Sequence, residues 1–269
     1  MVGTGYVGLV SGACLADFGN KVICVDIDAD RIARIKEGIM PIYEPGLKEL
    51  VRRNYEAGRL EFTTDLKAAV RASQVIFSAV GTPMGDDGAA DLSAVRQVAK
   101  DVADNMDEYK IFVQKSTVPV GTSEAVGRII SENLAKEIPF DLVSNPEFLR
   151  EGSAIEDFMR PNRVVIGVES DRAREIMREI YRPLCLLETP IVFTSIRTAE
   201  LVKYASNAFL AVKISFINEI SDLCEKIGAD IGEVARAMGL DKRIGPKFLH
   251  AGVGYGGSCL PKDVSAILH

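Results

Sequence analysis

The chain has 269 residues, 47% of them hydrophobic, and its 32 Lys+Arg against 38 Asp+Glu leave a formal charge of −6. That length exceeds what one core of roughly 250 residues holds, and the acidic balance gives no sequence-independent pull towards a nucleic-acid backbone. No apolar run reaches the ~18 residues that cross a bilayer, so neither nucleic acid nor membrane is expected as a partner.

Cysteine and histidine narrow the chemistry further. Cys14, Cys24, Cys185, Cys224 and Cys259 contain no C-x-x-C pair, and His250 and His269 are the only histidines. This argues against a disulfide framework and against a metal site, and points to the reducing cytoplasm. The apolar stretch 1–16 has no basic region before Lys21 and reads as part of the fold, not as a signal sequence.

Gly3-Thr4-Gly5-Tyr6-Val7-Gly8 opens the chain as a G-x-G-x-x-G run. Such glycines permit a tight turn, close backbone approach to a pyrophosphate and tight helix packing, with the phosphate at a helix N-terminus. Asp26 ends the next strand, 18 residues after Gly8, where a carboxylate can bond the adenosine ribose diol and repel a 2′-phosphate; NAD is therefore expected over NADP. Only Met1 and Val2 stand before Gly3, so the strand that feeds this turn is expected to be mostly missing.

Strands are predicted over 21–26, 60–63, 74–80, 110–116, 141–144, 163–168 and 190–193, and helices over 9–18, 47–56, 92–105, 123–135 and 172–181. Their alternation predicts an α/β Rossmann-type fold, a doubly wound parallel sheet buried on both faces. Residues 199–227 lack Gly and Pro and place Leu201, Tyr204, Ala208, Ala211 and Ile214 at helical spacing, and 231–238 follows as another helix. A boundary near Ser195 divides a cofactor-binding domain, 1–194, from an all-helical segment, 195–269.

The stretch from Gly252 to Asp263 (G-V-G-Y-G-G-S-C-L-P-K-D) is the richest in chemistry. Pro261 suits a first helical turn, which places Cys259 at a helix N-terminus where a thiol pKa falls. Lys203 and Asn207 stand at i and i+4, a spacing that by itself describes a solvated helix stripe as readily as a site. Glu151 on its own fits a first-turn helix acid. His250 has no Ser or Asp neighbour that suggests a triad.

The run from Gly254 to Asp263, with Asn145-Pro146-Glu147-Phe148-Leu149-Arg150-Glu151-Gly152, Gly81-Thr82-Pro83, Arg160-Pro161-Asn162-Arg163 and the run from Ser116 to Thr122, resembles the UDP-glucose/GDP-mannose dehydrogenase family over the whole chain. That resemblance implies oxidation of the C6 alcohol of UDP-glucose to the carboxylate of UDP-glucuronate with two NAD. Cys259 would be the nucleophile that forms a thiohemiacetal and then a thioester. Lys203 and Asn207 would stabilise the oxyanion, Glu147 with Thr117 would act through water, and Asp263 would hold the hydrolytic water.

The resemblance further implies that Gly3, Thr4, Gly5, Tyr6, Val7, Gly8, Asp26, Arg31, Thr82, Ser116, Thr117, Glu151 and Lys262 bind the cofactor. Glu147, Phe148, Leu149, Arg150, Glu151, Lys203, Asn207, Arg243, Phe248, Tyr255 and Gly256 would meet the sugar nucleotide. Other nucleotide sugars, GDP-mannose or a UDP-N-acetylhexosamine, are the alternative substrates. A two-electron hydroxyacid dehydrogenase would have no use for Cys259. Family members continue into a long helix and a UDP-binding domain that shares in a homodimer. This chain ends at His269, so that domain is expected to be absent and turnover by the chain alone to be slight.

Overall fold

The computed structural model describes residues 1–267 and builds the expected βα alternation. Helix α1 (Tyr6–Asp17) follows the glycine run directly, and its residues 8–16 are all buried. Small side chains let it lie close to the sheet: a Cβ on Gly12 would stand 2.6 Å from Cys24 Sγ. Next come β1 (Val22–Val25), α2 (Ala29–Lys36), α3 (Leu47–Glu56), β2 (Leu60–Thr63), α4 (Leu66–Ala72) and β3 (Val75–Ser78). After them lie α5 (Ser93–Asn105), β4 (Lys110–Gln114), α6 (Thr122–Asn133) and β5 (Phe140–Ser144). The series closes with α7 (Ala154–Met159), β6 (Val164–Val168), α8 (Asp171–Ile180), α9 (Arg182–Cys185) and β7 (Ile191–Thr194).

Alternation along the strands divides the core into two layers. Ile111, Val113 and Phe77 face a cluster with Leu9, Val10 and Met177, whereas Phe112 and Ile76 face Val95, Val102 and Ile130 of α5 and α6. Strands β1 and β2 pair in parallel, and β3 to β7 form a sheet in sequence order. The two parts meet through Val2, which bridges Val25 and Ser78 in parallel. Its N–H donates to Phe77 O and its carbonyl accepts from Ala79 N–H, both at 2.8 Å. Beside it, between β1 and β3, opens a cavity of about 670 Å³ lined by Met1, Val22, Ile23, Val75 and Phe77 among others.

One detail corrects the all-parallel expectation. Strand β6 runs antiparallel to β5, with Val143 opposite Val168. The connection between them carries only the six-residue α7, which packs on α1, so the chain turns back beside β5. Mixed sheets of this kind are common among doubly wound folds.

By internal contacts the chain forms two units: Met1–Thr82 with Asp91–Leu201, and Pro83–Ala90 with the chain from Val202 onward. The division falls inside α10 (Ile196–Ile227), a 32-residue helix without Gly or Pro. Helices α11 (Ile231–Gly239) and α12 (Leu260–Ala266) follow in the second unit. Among the described residues no helix is long and apolar enough to cross a membrane, and all five cysteines are free thiols.

Candidate functional site

In the first unit the three glycines of the opening run have distinct tasks. Gly3 takes φ +96°, and a Cβ there would stand 2.8 Å from Ala79 O. A Cβ on Gly8 would fall 2.0 Å from Gly3 O, which no side chain survives. Gly5 meets nothing within 4 Å, so its missing Cβ keeps open space in front of α1. No side chain caps α1, so its first-turn N–H groups are presented to that space. Uncapped amides at the positive end of a buried helix fit a pyrophosphate, and the turn therefore suits the dinucleotide.

Asp26 stands beside this turn and is buried. Its Oδ2 accepts from Thr4 N–H (2.8 Å), Thr4 Oγ1 (2.7 Å) and Arg31 Nη1 (3.1 Å), while Oδ1 accepts only from Asp28 N–H at 3.1 Å. Burial opposes ionisation, but the Thr4 and Asp28 bonds and the Arg31 charge outweigh it and hold the carboxyl below its ordinary range. Oδ1 retains capacity for a ribose hydroxyl. Thr4, Asp26 and Arg31 thus stand together.

The far wall of this unit is set by loops after β3, β4 and β5. Thr82 Oγ1 donates to Thr117 O at 2.9 Å, and Ser116 Oγ donates to Val80 O at 2.6 Å. Glu200, which the sequence did not single out, accepts from Gly121 N–H (2.7 Å) and Ser123 N–H (2.9 Å) and so fixes the entry to α6 behind Thr117. Asn145 is held by Lys115 Nζ at 3.1 Å and the Tyr181 hydroxyl at 2.6 Å. Glu147 Oε2 accepts from Leu149 N–H at 2.6 Å, and Arg163 lies 3.7 Å over the Phe148 ring. Arg150 is exposed and clamped by Asp157. Glu151 is exposed and precedes α7, whose first-turn acids are Glu156 and Asp157; the helix-acid alternative for it does not hold.

In the second unit Lys203 and Asn207 are 4% and 7% exposed, which removes the solvated-stripe alternative. Asn207 Nδ2 donates to Asp263 Oδ2 at 2.6 Å, and Lys262 Nζ pairs with Asp263 Oδ1 at 2.5 Å. Asp263 itself is 1% exposed. Cys259 is exposed at the head of α12, its carbonyl accepting from Asp263 N–H at 2.9 Å and its Sγ lying 3.6 Å from Ser258 Oγ. Thiol and carboxylate therefore share one helical turn.

The loop before Cys259 is shaped by backbone that glycine favours. Gly254 and Gly257 take φ +116° and +86°, while Phe248 holds φ +65° without being glycine. Gly252 N–H is anchored on Asn218 Oδ1 at 2.8 Å, and Tyr255 and Gly256 are exposed. Arg243 is exposed and held by Asp241 at 2.6 Å. His250 is exposed.

A family model described as UDP-glucose/GDP-mannose dehydrogenase family, NAD binding domain, matches residues 1–185, and the model of that family's central domain matches residues 197–269. The chain is 61% identical over 272 residues to a UDP-glucose 6-dehydrogenase of Rhizobium meliloti, a match covering 100% of this chain and 62% of that protein. Among solved structures it is similar to a UDP-glucose dehydrogenase from Pyrobaculum islandicum, with TM-score 0.95 and 44% identity over 99% of this chain and 62% of that one. It is also similar to a GDP-mannose dehydrogenase from Pseudomonas aeruginosa, with TM-score 0.85 and 37% identity over 99% and 62% of the two chains. The chain thus spans about three-fifths of the length of the curated relatives it matches.

Proposed function

We propose that this chain, which belongs to the UDP-glucose/GDP-mannose dehydrogenase family, carries the cofactor-binding and thiol-bearing portion of a cytoplasmic enzyme that oxidises UDP-glucose to UDP-glucuronate. Its strongest support is the buried cluster in which Asn207 of α10 holds Asp263, itself paired with Lys262 and one helical turn from the exposed thiol of Cys259. A two-electron alcohol oxidation needs no such thiol. A four-electron oxidation does, because an aldehyde gives up its second hydride readily only after a nucleophile has added to it.

NAD, when bound, supplies the hydride acceptor for each oxidation. In the first, C6 loses a hydride and its hydroxyl a proton, leaving an aldehyde. Cys259 Sγ then bonds to the aldehyde carbon as the carbonyl pair moves onto oxygen. The Lys203 ammonium and the second N–H of the Asn207 amide, whose first is spent on Asp263, would stabilise that oxyanion, a role worth several kcal/mol. Loss of the second hydride leaves a thioester. Water, held by Asp263, adds to the thioester carbon and gives up its protons, and collapse expels the thiolate and leaves the carboxylate; Glu147 with Thr117 would act as an acid-base pair through water.

The companion we assign is a second copy of the chain. Phe209, Val212, Phe216, Leu223 and Ile227 recur at three, four or seven residues along α10, share one face and are each 47–66% exposed. Phe216→Asp should shift the sedimentation of the protein at its relatives' length from dimer to monomer.

The test of the reaction is Cys259→Ser in a protein of the relatives' length. UDP-glucose-dependent NADH formation should fall by at least about a thousandfold while NAD affinity changes less than about twofold. Unchanged acid formation would refute the thiol mechanism. Faster turnover of GDP-mannose or a UDP-N-acetylhexosamine would reassign the substrate.

A further inference from the structure

Glu44 lies in the connection between α2 and α3, outside every motif described above, yet its side chain is buried and surrounded by donors. Oε2 accepts from the Tyr6 hydroxyl and from Gly152 N–H at 2.9 Å. Oε1 accepts from Ala154 N–H at 2.8 Å and, more weakly, from Ile155 N–H at 3.5 Å. The Tyr6 hydroxyl oxygen also accepts from Gly152 N–H at 3.0 Å. A carboxylate is acceptor-only, with about four lone-pair positions, and here donors meet it from every side.

Those donors come from two places that the proposed function treats separately. Tyr6 is the first residue of α1, inside the glycine turn. Gly152, Ala154 and Ile155 follow Glu151: Gly152 stands just before the N-cap Ser153, and Ala154 and Ile155 open the first turn of α7. Capping α7 does not by itself call for Glu44, because Ser153 occupies the N-cap and serine is among the best capping residues. Yet Ser153 makes no side-chain cap bond, and a carboxylate 110 residues away takes the Ala154 amide instead. What the distant carboxylate adds is its second oxygen, which reaches the turn. Burial, and then the bond to Glu44, push the Tyr6 phenol up to about 12, so it stays a donor throughout the physiological range.

We propose that Glu44 is a positioning residue that couples the glycine turn to the 147–155 segment, so that a dinucleotide seated on the turn orders the loop that carries Glu147 and Glu151. The coupling rests on the reading that NAD occupies the turn and that this loop meets the sugar. It is reciprocal: whatever orders the loop tightens the turn by the same factor. It operates within the first unit and needs no nucleotide sugar to be observed.

The experiment is amide hydrogen exchange on this chain with and without NAD, with NAD affinity measured calorimetrically on the same samples. In the wild type, NAD should slow exchange at Gly152, Ala154 and Ile155 by about tenfold or more. Tyr6→Phe removes the hydroxyl, and with it the bond to Glu44 and one acceptor of Gly152 N–H, while the Glu44 bonds to Ala154 and Ile155 stay in place. Without NAD its Ala154 and Ile155 amides should exchange as in the wild type, and with NAD saturating they should gain less than about threefold. Glu44→Gln turns an amide donor towards donors, and those amides should exchange faster in both states. Because Glu44→Gln risks disturbing α7 itself, Tyr6→Phe carries the decision. NAD slowing these amides equally in wild type and Tyr6→Phe, or not slowing them in the wild type, would overturn the coupling while leaving the cofactor reading intact. A wild type that binds no NAD would overturn both.

Discussion

Asp263→Ala should destabilise the second unit by about 3 kcal/mol, and the figure follows from its two partners. Asn207 Nδ2, on a side chain only 7% exposed, would lose its 2.6 Å acceptor; a buried donor left without a partner costs about 1–3 kcal/mol. Lys262 keeps 17% of its side chain in solvent and can turn outward, so its share is about 1 kcal/mol, below the ~3–5 kcal/mol of a fully buried pair. Three kcal/mol corresponds to a fall in Tm of about 6–12 °C for a protein of this size. Asp263→Asn keeps an oxygen for Asn207 and removes the charge, and should cost about 1–2 kcal/mol. Urea denaturation followed by circular dichroism measures both. In a double-mutant cycle with Asn207→Ala, the coupling energy should be about 1 kcal/mol or more. An Asp263→Ala protein within about 0.5 kcal/mol of wild type, or a coupling energy of zero, would refute the claim that this carboxylate organises the cluster.

Four further outcomes are expected. Because the Asp26 carboxyl is held below its ordinary range, its stabilisation is fully present above the unfolded value near about 4 and is lost as pH falls through the folded value; Asp26→Asn should flatten that acid limb, and parallel limbs would contradict the assignment. The same carboxylate should favour NAD over NADP in binding, with Asp26→Ser narrowing the gap; equal affinities for wild type would remove the role. Gly5→Ala should fold normally but bind NAD at least about tenfold more weakly, whereas Gly8→Ala should lose stability outright, and calorimetry with thermal melts separates the two. Burial raises the Cys14 and Cys24 thiols to about 12 and about 11, so a disulfide reagent at neutral pH should label Cys185 and Cys259 first, and equally fast labelling of Cys14 would contradict the packing of α1.

Much of this architecture is legible in the sequence where a local signal is strong. The Val/Ile runs at 22–25, 110–114 and 164–168 are strands because they are buried on both faces, and the Gly- and Pro-free stretch after 196 is one helix. Short helices escape such reading: α2, α4, α7 and α9 have four to eight residues, too few for a period of 3.6 to repeat convincingly. The reversed direction of β6 is a tertiary property that no local pattern carries. The same limit applies to the candidate site. Spacing puts Lys203 and Asn207 on one face but leaves open whether that face is wet, and only packing buries it. Glu44 and Glu200 were missed because their partners lie up to 111 residues away, at backbone amides that have no letter in the sequence.

The bonds between Thr4 and Asp26 have a thermodynamic consequence. Asp26 directly follows β1 and Thr4 lies in the glycine turn, so two bonds converging on one carboxylate oxygen join the strand to the turn. A dinucleotide that touches both the turn and Asp26 would act as an external strut. At a hundred times its dissociation constant it would add about 2.7 kcal/mol to the state in which strand end and turn are held together.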